Sequence, residues 1–296
     1  MSGAPSVIGV DVGGTQMRAG VVDGSGAVLR RVSMATADAV GGAEGIHELL
    51  NRLDPPASAP VVVGLPGRVD YAGGALETGF NLPSGWVAAF RSDDLAARLG
   101  RTVHLANDAD MAAVGETWFG AGQQHDDVLY VTISTGVGAG LVLGRRLVAG
   151  RRSAAEIGHT VIDADGTMGD GSMTVETLGS GTALGKAASD LGLPDGAALV
   201  DRVRAGDPQA VDVWDGAMRA ASVGIANMCW IAAPTAVVIG GGMGRNGDLV
   251  LGPVREAIAS VGPADLAADI DVVEAALGDD AGLAGAAAWR EACGLG

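Results

Sequence analysis

The chain reads as an α/β protein of two lobes with a cleft between them, and two observations predict this. In each half a buried-looking strand enters a Gly/Thr turn and re-emerges as a second apolar strand. The first instance is Val7 to Val10, Asp11-Val12-Gly13-Gly14-Thr15, then Met17 to Val22. The second is Val128 to Ile133, Ser134-Thr135-Gly136-Val137-Gly138-Ala139-Gly140, then Leu141 to Leu143. Strands also run into helices in both halves, the alternation of layered α/β units. A length of 296 residues suits one large domain or two lobes.

Taken in order, Val7 to Val10, Met17 to Val22 and Ala27 to Val32 read as successive antiparallel strands, with Asp23-Gly24-Ser25-Gly26 as the turn before the last. A helix over Gly42 to Arg52 stops before Pro55-Pro56. Val61 to Val63 is a short buried strand ending in Gly64-Leu65-Pro66-Gly67; Asp93 to Leu99 is a helix and Thr102 to Ala106 a strand. The following helix places Met111, Val114, Gly115 and Trp118 on one apolar face. Further on, helices are expected near Ala183 to Leu191, Asp207 to Ala233 and Val254 to Ser260, with a buried strand Ala236 to Ile239 before the last. A composition shift over residues 120–127 marks a lobe boundary. The expected organisation is a small lobe over 1–119, a large lobe over 120–280, and an Ala-rich C-terminal helix over 281–296 returning to the small lobe.

Composition narrows the function. The formal charge is −16 and no basic stripe appears, which argues against nucleic-acid binding. Cys229 and Cys293 are too few for a disulfide framework. No signal peptide is visible, and no apolar run reaches the roughly 18 residues of a membrane span. The expected compartment is the cytoplasm, with no membrane partner.

Several residue groups can carry chemistry. A glycine turn lets backbone N–H groups approach an anion, and a threonine hydroxyl adds a donor, so the paired turns suit a polyphosphate; the alternative is two ordinary hairpins. Asn107-Asp108 stands at a strand end, where a carboxylate can accept a proton from a substrate hydroxyl, or where either residue, or Asp110, can cap the next helix. Glu156 and His159 suit a polyhydroxy ligand or are surface decoration. Asp11 is a turn former or a carboxylate holding the water shell of Mg²⁺ beside phosphate. Gly240-Gly241-Gly242 admits a nucleotide base or ribose, or simply ends a strand.

Asp11-Val12-Gly13-Gly14-Thr15, Gly64-Leu65-Pro66-Gly67, Asn81-Leu82, Asn107-Asp108-Ala109-Asp110, Ser134-Thr135-Gly136-Val137-Gly138, Glu156-Ile157-Gly158-His159 and Gly240-Gly241-Gly242 follow one another as in ROK-family sugar kinases, and the chain resembles that family over nearly its whole length. The resemblance implies a two-lobed actin-like ATPase (ribonuclease H-like) fold with a central cleft. It implies ATP-dependent phosphorylation of a hexose at the 6-hydroxyl, glucose first, and a homodimer or homotetramer. By the same resemblance Asp108 is the general base, and Gly64, Asn81, Asn107, Glu156, His159 and Glu176 join it in binding the sugar. The nucleotide side is Asp11, Gly13, Gly14, Thr15, Thr135, Gly136, Gly138, Gly240, Gly241 and Gly242, with Asp11 holding Mg²⁺ through water.

One departure concerns metal. Many members of the family carry a cysteine zinc motif before the residue equivalent to Glu176. Its cysteine positions here are Thr167, Gly169 and Thr174, which cannot supply thiolates, so no structural zinc is expected. Asp163, Asp165 or Asp170 would then be the partner that holds His159. Rival readings are a kinase of N-acetylmannosamine or another amino sugar, a sugar-sensing regulator without catalysis, and a protein-binding ATPase. The regulators of this family carry an N-terminal helix-turn-helix, whereas this sequence starts at the first strand; the Glu156, His159 and Glu176 group favours a small sugar over a protein.

Overall fold

Alternation along the first strand decides how the first sheet is covered. In β1 (Val7–Val12), Ile8, Val10 and Val12 join one hydrophobic core and Val7 the opposite one. The computed structural model describes residues 6–162, 173–261 and 264–295. The chain continues through β2 (Gln16–Val22), β3 (Val28–Ala35), α1 (Gly42–Leu53), β4 (Val61–Leu65), β5 (Gly67–Asp70), β6 (Ala75–Gly79), α2 (Ser92–Leu99), β7 (Val103–Asn107) and α3 (Asp108–Phe119). Then follow β8 (Val128–Ile133), β9 (Val137–Leu143), β10 (Arg146–Leu147), α4 (Val175–Gly179), α5 (Gly181–Asp190), α6 (Gly196–Arg204) and α7 (Pro208–Ala232). The last elements are β11 (Ala236–Gly240), α8 (Gly241–Gly244), α9 (Asp248–Val261), α10 (Ala264–Ala268), β12 (Asp271–Glu274) and α11 (Ala281–Ala292).

Two five-stranded sheets repeat one topology. The first has the order β3-β2-β1-β4-β7, the second β10-β9-β8-β11-β12. In the first, β1, β2 and β3 are antiparallel neighbours, as expected, and β4 and β7 run parallel to β1. In the second, β11 and β12 run parallel to β8. The chain divides into two compact units, one of Met1–Asp126, Gly140–Ala154 and Ala276–Gly296, the other of Asp127–Ala139 and Ala155–Ala275.

In the first unit α1 covers one face of the sheet with Ile46, Leu49, Leu50 and Leu53, while α3 and α11 cover the other with Met111, Val114, Leu283 and Trp289. The last two helices touch backbone to backbone. A Cβ on Gly285 would fall on the Met111 carbonyl, and one on Gly115 on the Ala281 carbonyl. Gly115 and Gly285 permit this close approach. The carboxylate of Glu116, fully buried in α3, accepts backbone N–H bonds from Ala121 (2.9 Å), Ala276 (3.0 Å) and Leu277 (2.8 Å). Three donors offset its burial.

In the second unit the long helix α7 is started by Asp207, whose side chain accepts from the Gln209 and Ala210 N–H groups, with Pro208 in the first turn. Helix α9 begins at Asp248, earlier than the Val254 that the sequence suggested. Pro253 lies inside it and has no N–H to give to the Leu249 carbonyl. That carbonyl instead accepts from the Trp214 indole of α7 at 3.0 Å, so the helix tolerates its proline. Strand β3 also runs on to Ala35 rather than ending at Val32, and the hairpin of β5 and β6 was not anticipated. Its turn is built by Asp70, whose Oδ1 accepts from the Ala72 (3.1 Å) and Gly73 (2.9 Å) amides.

Candidate active site

In the first unit the candidate residues gather at the C-terminal ends of three parallel strands. Asp11 of β1 pairs with Gly64 of β4, Gly64 with Ala106 of β7, and Leu65 with Asn107. Such strand ends are where ligands bind in open α/β sheets. The turn after β1 closes with the Gly13 N–H donating to the Gln16 carbonyl at 2.9 Å, and Gly14 and Thr15 are exposed. Asn81, in the left-handed region at φ 57°, lies against this turn: a Cβ on Gly14 would come within 2.6 Å of its carbonyl oxygen. The structure thus brings Asp11, Gly13, Gly14, Thr15, Gly64, Asn81 and Asn107 into one neighbourhood. Burial pushes the Asp11 carboxyl above its ordinary range; Arg18, 3.9 Å away, opposes this, and Asp279 adds to it.

Asn107 is the N-cap of α3. Its Oδ1 accepts from the Ala109 and Asp110 amides, each at 3.0 Å, and its Nδ2 donates to the Gly67 carbonyl at 3.0 Å. The side chain is therefore largely occupied within the protein, leaving one amide N–H. Asp108 begins the helix, half-buried, with Oδ1 accepting from the Ala109 N–H at 2.9 Å. Because Asn107 supplies the cap, the Asp108 carboxylate is not the capping group of α3. A carboxylate held so at a strand end can accept a proton.

The second unit assembles another group at equivalent strand ends. The turn Ser134-Thr135-Gly136 follows β8, and Gly240-Gly241-Gly242 ends the neighbouring β11, where Gly240 pairs with Thr132. Glu176, in the first turn of α4, accepts the Val137 N–H at 2.9 Å and so holds the turn. A Cβ on Gly136 would fall on the Glu176 carboxylate. Gly138 lies in β9. Gly241, at φ +80°, requires glycine, and its Cβ would meet the Ile133 carbonyl; Gly242 faces open space. Glu156 and His159 bracket a single turn over Ile157–His159, with Oε2 and Nε2 3.9 Å apart. Gly158 packs on the Val137 carbonyl and on Glu176, so Thr135, Gly136, Glu156, His159 and Glu176 are neighbours.

Thr174, one of the positions without the zinc motif's cysteine, has a structural task. It caps α4 in a reciprocal capping box with Thr177 and thereby fixes the turn carrying Glu176. Thr167, Gly169 and the suggested partners of His159 (Asp163, Asp165 and Asp170) lie outside the described residues. Among the described residues no group of three His, Cys, Asp or Glu side chains is placed to hold a metal, and no helix is long and apolar enough to cross a membrane. Burial pushes both thiols, Cys229 and Cys293, up to about 12.

The family model described as "ROK family" matches residues 7–292. The chain belongs to the ROK family. A glucokinase from Thermotoga maritima is 33% identical to this ROK chain over 95% of it and 96% of the relative. An N-acetylmannosamine kinase from Yersinia pseudotuberculosis is 32% identical over 96% of this chain and 98% of the relative. Among solved structures, the ROK family glucokinase from Streptomyces griseus in complex with glucose and AMPPNP superposes with a TM-score of 0.80, at 33% identity over 96% of this chain and 98% of that one. The ROK chain has the two-domain actin-like ATPase fold of these kinases.

Sequence reasoning missed Tyr71 and Ser153 beside the base motif, and considered Asp110 only as a possible helix cap. Tyr71, Ser153 and the buried carboxylate of Asp110 form a hydrogen-bonded group beside Asn107. The signal for Asp110 was present, as a third polar residue in an otherwise apolar stretch. Tyr71 and Ser153 gave none, since their roles depend on contacts far apart in sequence.

Proposed function

We propose that this chain is a glucokinase, transferring the γ-phosphoryl group of ATP to the 6-hydroxyl of glucose. The observation that carries the reading is the place of Asp108, a carboxylate at the first residue of α3 directly after the end of β7, where Asn107 and not Asp108 is the helix cap. Likeness over nearly the full length to glucokinases, one in complex with glucose and AMPPNP, supports the substrate pair.

In this reading Asp108 takes the proton of the 6-hydroxyl as its oxygen bonds to the γ-phosphorus. The bond from that phosphorus to the β-phosphate oxygen breaks, and ADP leaves. The Thr15 and Thr135 hydroxyls and the amides of the turns at Gly13-Gly14 and Gly136-Gly138 donate to phosphate oxygens. Gly240 to Gly242 border the adenosine. Asn81, the backbone at Gly64, the remaining Asn107 N–H, Glu156, His159 and Glu176 bind the sugar hydroxyls. Mg²⁺ commonly takes one or two carboxylates beside phosphate and water, which suits the single Asp11 as a holder through water, and when bound it neutralises phosphate charge. Structural zinc has no part in this reading; a homo-oligomer in the cytoplasm does.

A second reading, phosphorylation of N-acetylmannosamine, is favoured by the relative at 32% identity. It shares the base and differs at the sugar 2-position. The test of the common chemistry is Asp108→Asn, which keeps the shape and removes the proton acceptor. Turnover is expected to fall by at least about 10² with glucose binding retained; near-wild-type turnover sinks the assignment.

A further inference from the structure

The start of α3 is clamped by segments distant in sequence. The Tyr71 hydroxyl donates to Asp110 Oδ2 at 2.5 Å and accepts the Asn107 backbone N–H at 3.2 Å. Ser153 Oγ donates to the other Asp110 oxygen at 3.0 Å. Asp110 N–H returns to Asn107 Oδ1, closing a ring of hydrogen bonds around the residue before Asp108. Asp110 is fully buried, and Tyr71 is packed at a tilt against Trp289 with ring centroids 6.1 Å apart. Tyr71 follows β5, and Ser153 follows β10. Neighbouring ion pairs tie the same segments: Arg151 to Asp70 (3.1 Å) and Glu77 (2.6 Å), and Arg152 to Glu77.

A brace serving α3 alone would need neither a buried carboxylate nor the Tyr71 contact to the strand. The N-cap already satisfies the Ala109 and Asp110 amides. The ring instead fixes the last peptide of β7 and the third residue of the helix together, so the intervening Asp108 backbone has little freedom. From this geometry we infer that Tyr71 and Asp110, assisted by Ser153, are positioning residues for phosphoryl transfer, holding the Asn107-Asp108 junction so that the Asp108 carboxylate meets the sugar hydroxyl in line. The inference rests on the reading of Asp108 as base. Burial and the Asp110 charge push the Tyr71 phenol well above its ordinary range, so it remains the donor across the working pH. Misplacing a reacting group by about 1 Å can cost on the order of 10²-fold in rate.

The test is a double-mutant cycle of Tyr71→Phe and Asp108→Asn, with ATP and glucose as substrates and glucose binding and melting temperature recorded for each protein. Tyr71→Phe removes one oxygen and keeps the ring. In the otherwise wild-type enzyme it is expected to lower kcat about tenfold or more, with the glucose KM within about twofold. In the Asp108→Asn background the same change should move kcat less than about twofold, because no base remains to be oriented. Ser153→Ala, which weakens the same Asp110, should show a smaller loss of the same kind. An equal fold-loss from Tyr71→Phe in both backgrounds, or none in the wild-type background, overturns the positioning role while leaving the base intact. Full turnover by Asp108→Asn alone overturns the base reading, and this inference with it.

Discussion

Asn107 and Asp108 show how much a single cap decides. The two stand side by side at the end of β7, and either could have capped α3 on sequence grounds. Asn107 does, with both its Oδ1 bonds at 3.0 Å, and Asp108 is left to the strand end. The glycines divide in the same way. Gly136 makes room for the Glu176 carboxylate and Gly241 supplies a left-handed backbone, so substitution at either would disturb the protein itself. Gly242 has nothing within reach of an added Cβ and is the cleaner probe of the nucleotide. Gly242→Val is expected to raise the KM for ATP about fivefold or more, close to 1 kcal/mol of binding, and leave that for glucose unchanged. Parallel steady-state titrations of the two substrates check this; equal rises, or none for ATP, would remove the nucleotide from that position. What was legible at this scale were the turns and the Asn-Asp pair, because local geometry dictates them. The Tyr71–Asp110–Ser153 ring was not, because no spacing rule joins residues 71, 110 and 153.

Elements that answer to periodicity were readable from the sequence. The strands around the two Gly/Thr turns and the helices at 42–53 and 208–232 follow from alternation, apolar faces and Pro or Asp punctuation. Elements fixed by partners were not. Helix α9 passes through Pro253 because Trp214 takes up the orphaned Leu249 carbonyl, and β12 is a four-residue edge strand that exists through its pairing with β11. The α3–α11 contact shows the same dependence on partners. Gly115 and Gly285 let the two backbones meet, and α3 carries Asp108 at its first residue. Gly285→Ala would press on the Met111 carbonyl, forcing the helices apart. The expected cost is roughly 1–3 kcal/mol of stability, with reduced turnover because the start of α3 shifts. Thermal unfolding and kinetics on the same preparation check it. An unchanged melting temperature would mean the helices are not held at this contact.

At the scale of the molecule, one topology is used twice. Each sheet places its first strand at the centre, follows it with a Gly/Thr turn, and sets a parallel strand beside it whose end carries further candidate residues. Asp11 and Gly64 stand in that relation in the first sheet, and the turn at Thr135-Gly136 and Gly240 in the second. The sequence showed this duplication as two faintly similar hairpins; the strand order that makes it a repeat emerges only from pairing. Substrate choice belongs to this scale too, since relatives that act on glucose and on N-acetylmannosamine are nearly equal in identity to this chain. The most direct measurement is therefore turnover of the wild-type protein with ATP and Mg²⁺ across a panel of hexoses and amino sugars, with the phosphorylated carbon assigned by NMR. The account predicts glucose 6-phosphate as product and a kcat/KM for glucose of about 10⁴ M⁻¹s⁻¹ or more, in the usual enzymatic range, above that for N-acetylmannosamine. A clear preference for N-acetylmannosamine, phosphorylation at another carbon, or no transfer to glucose would contradict it.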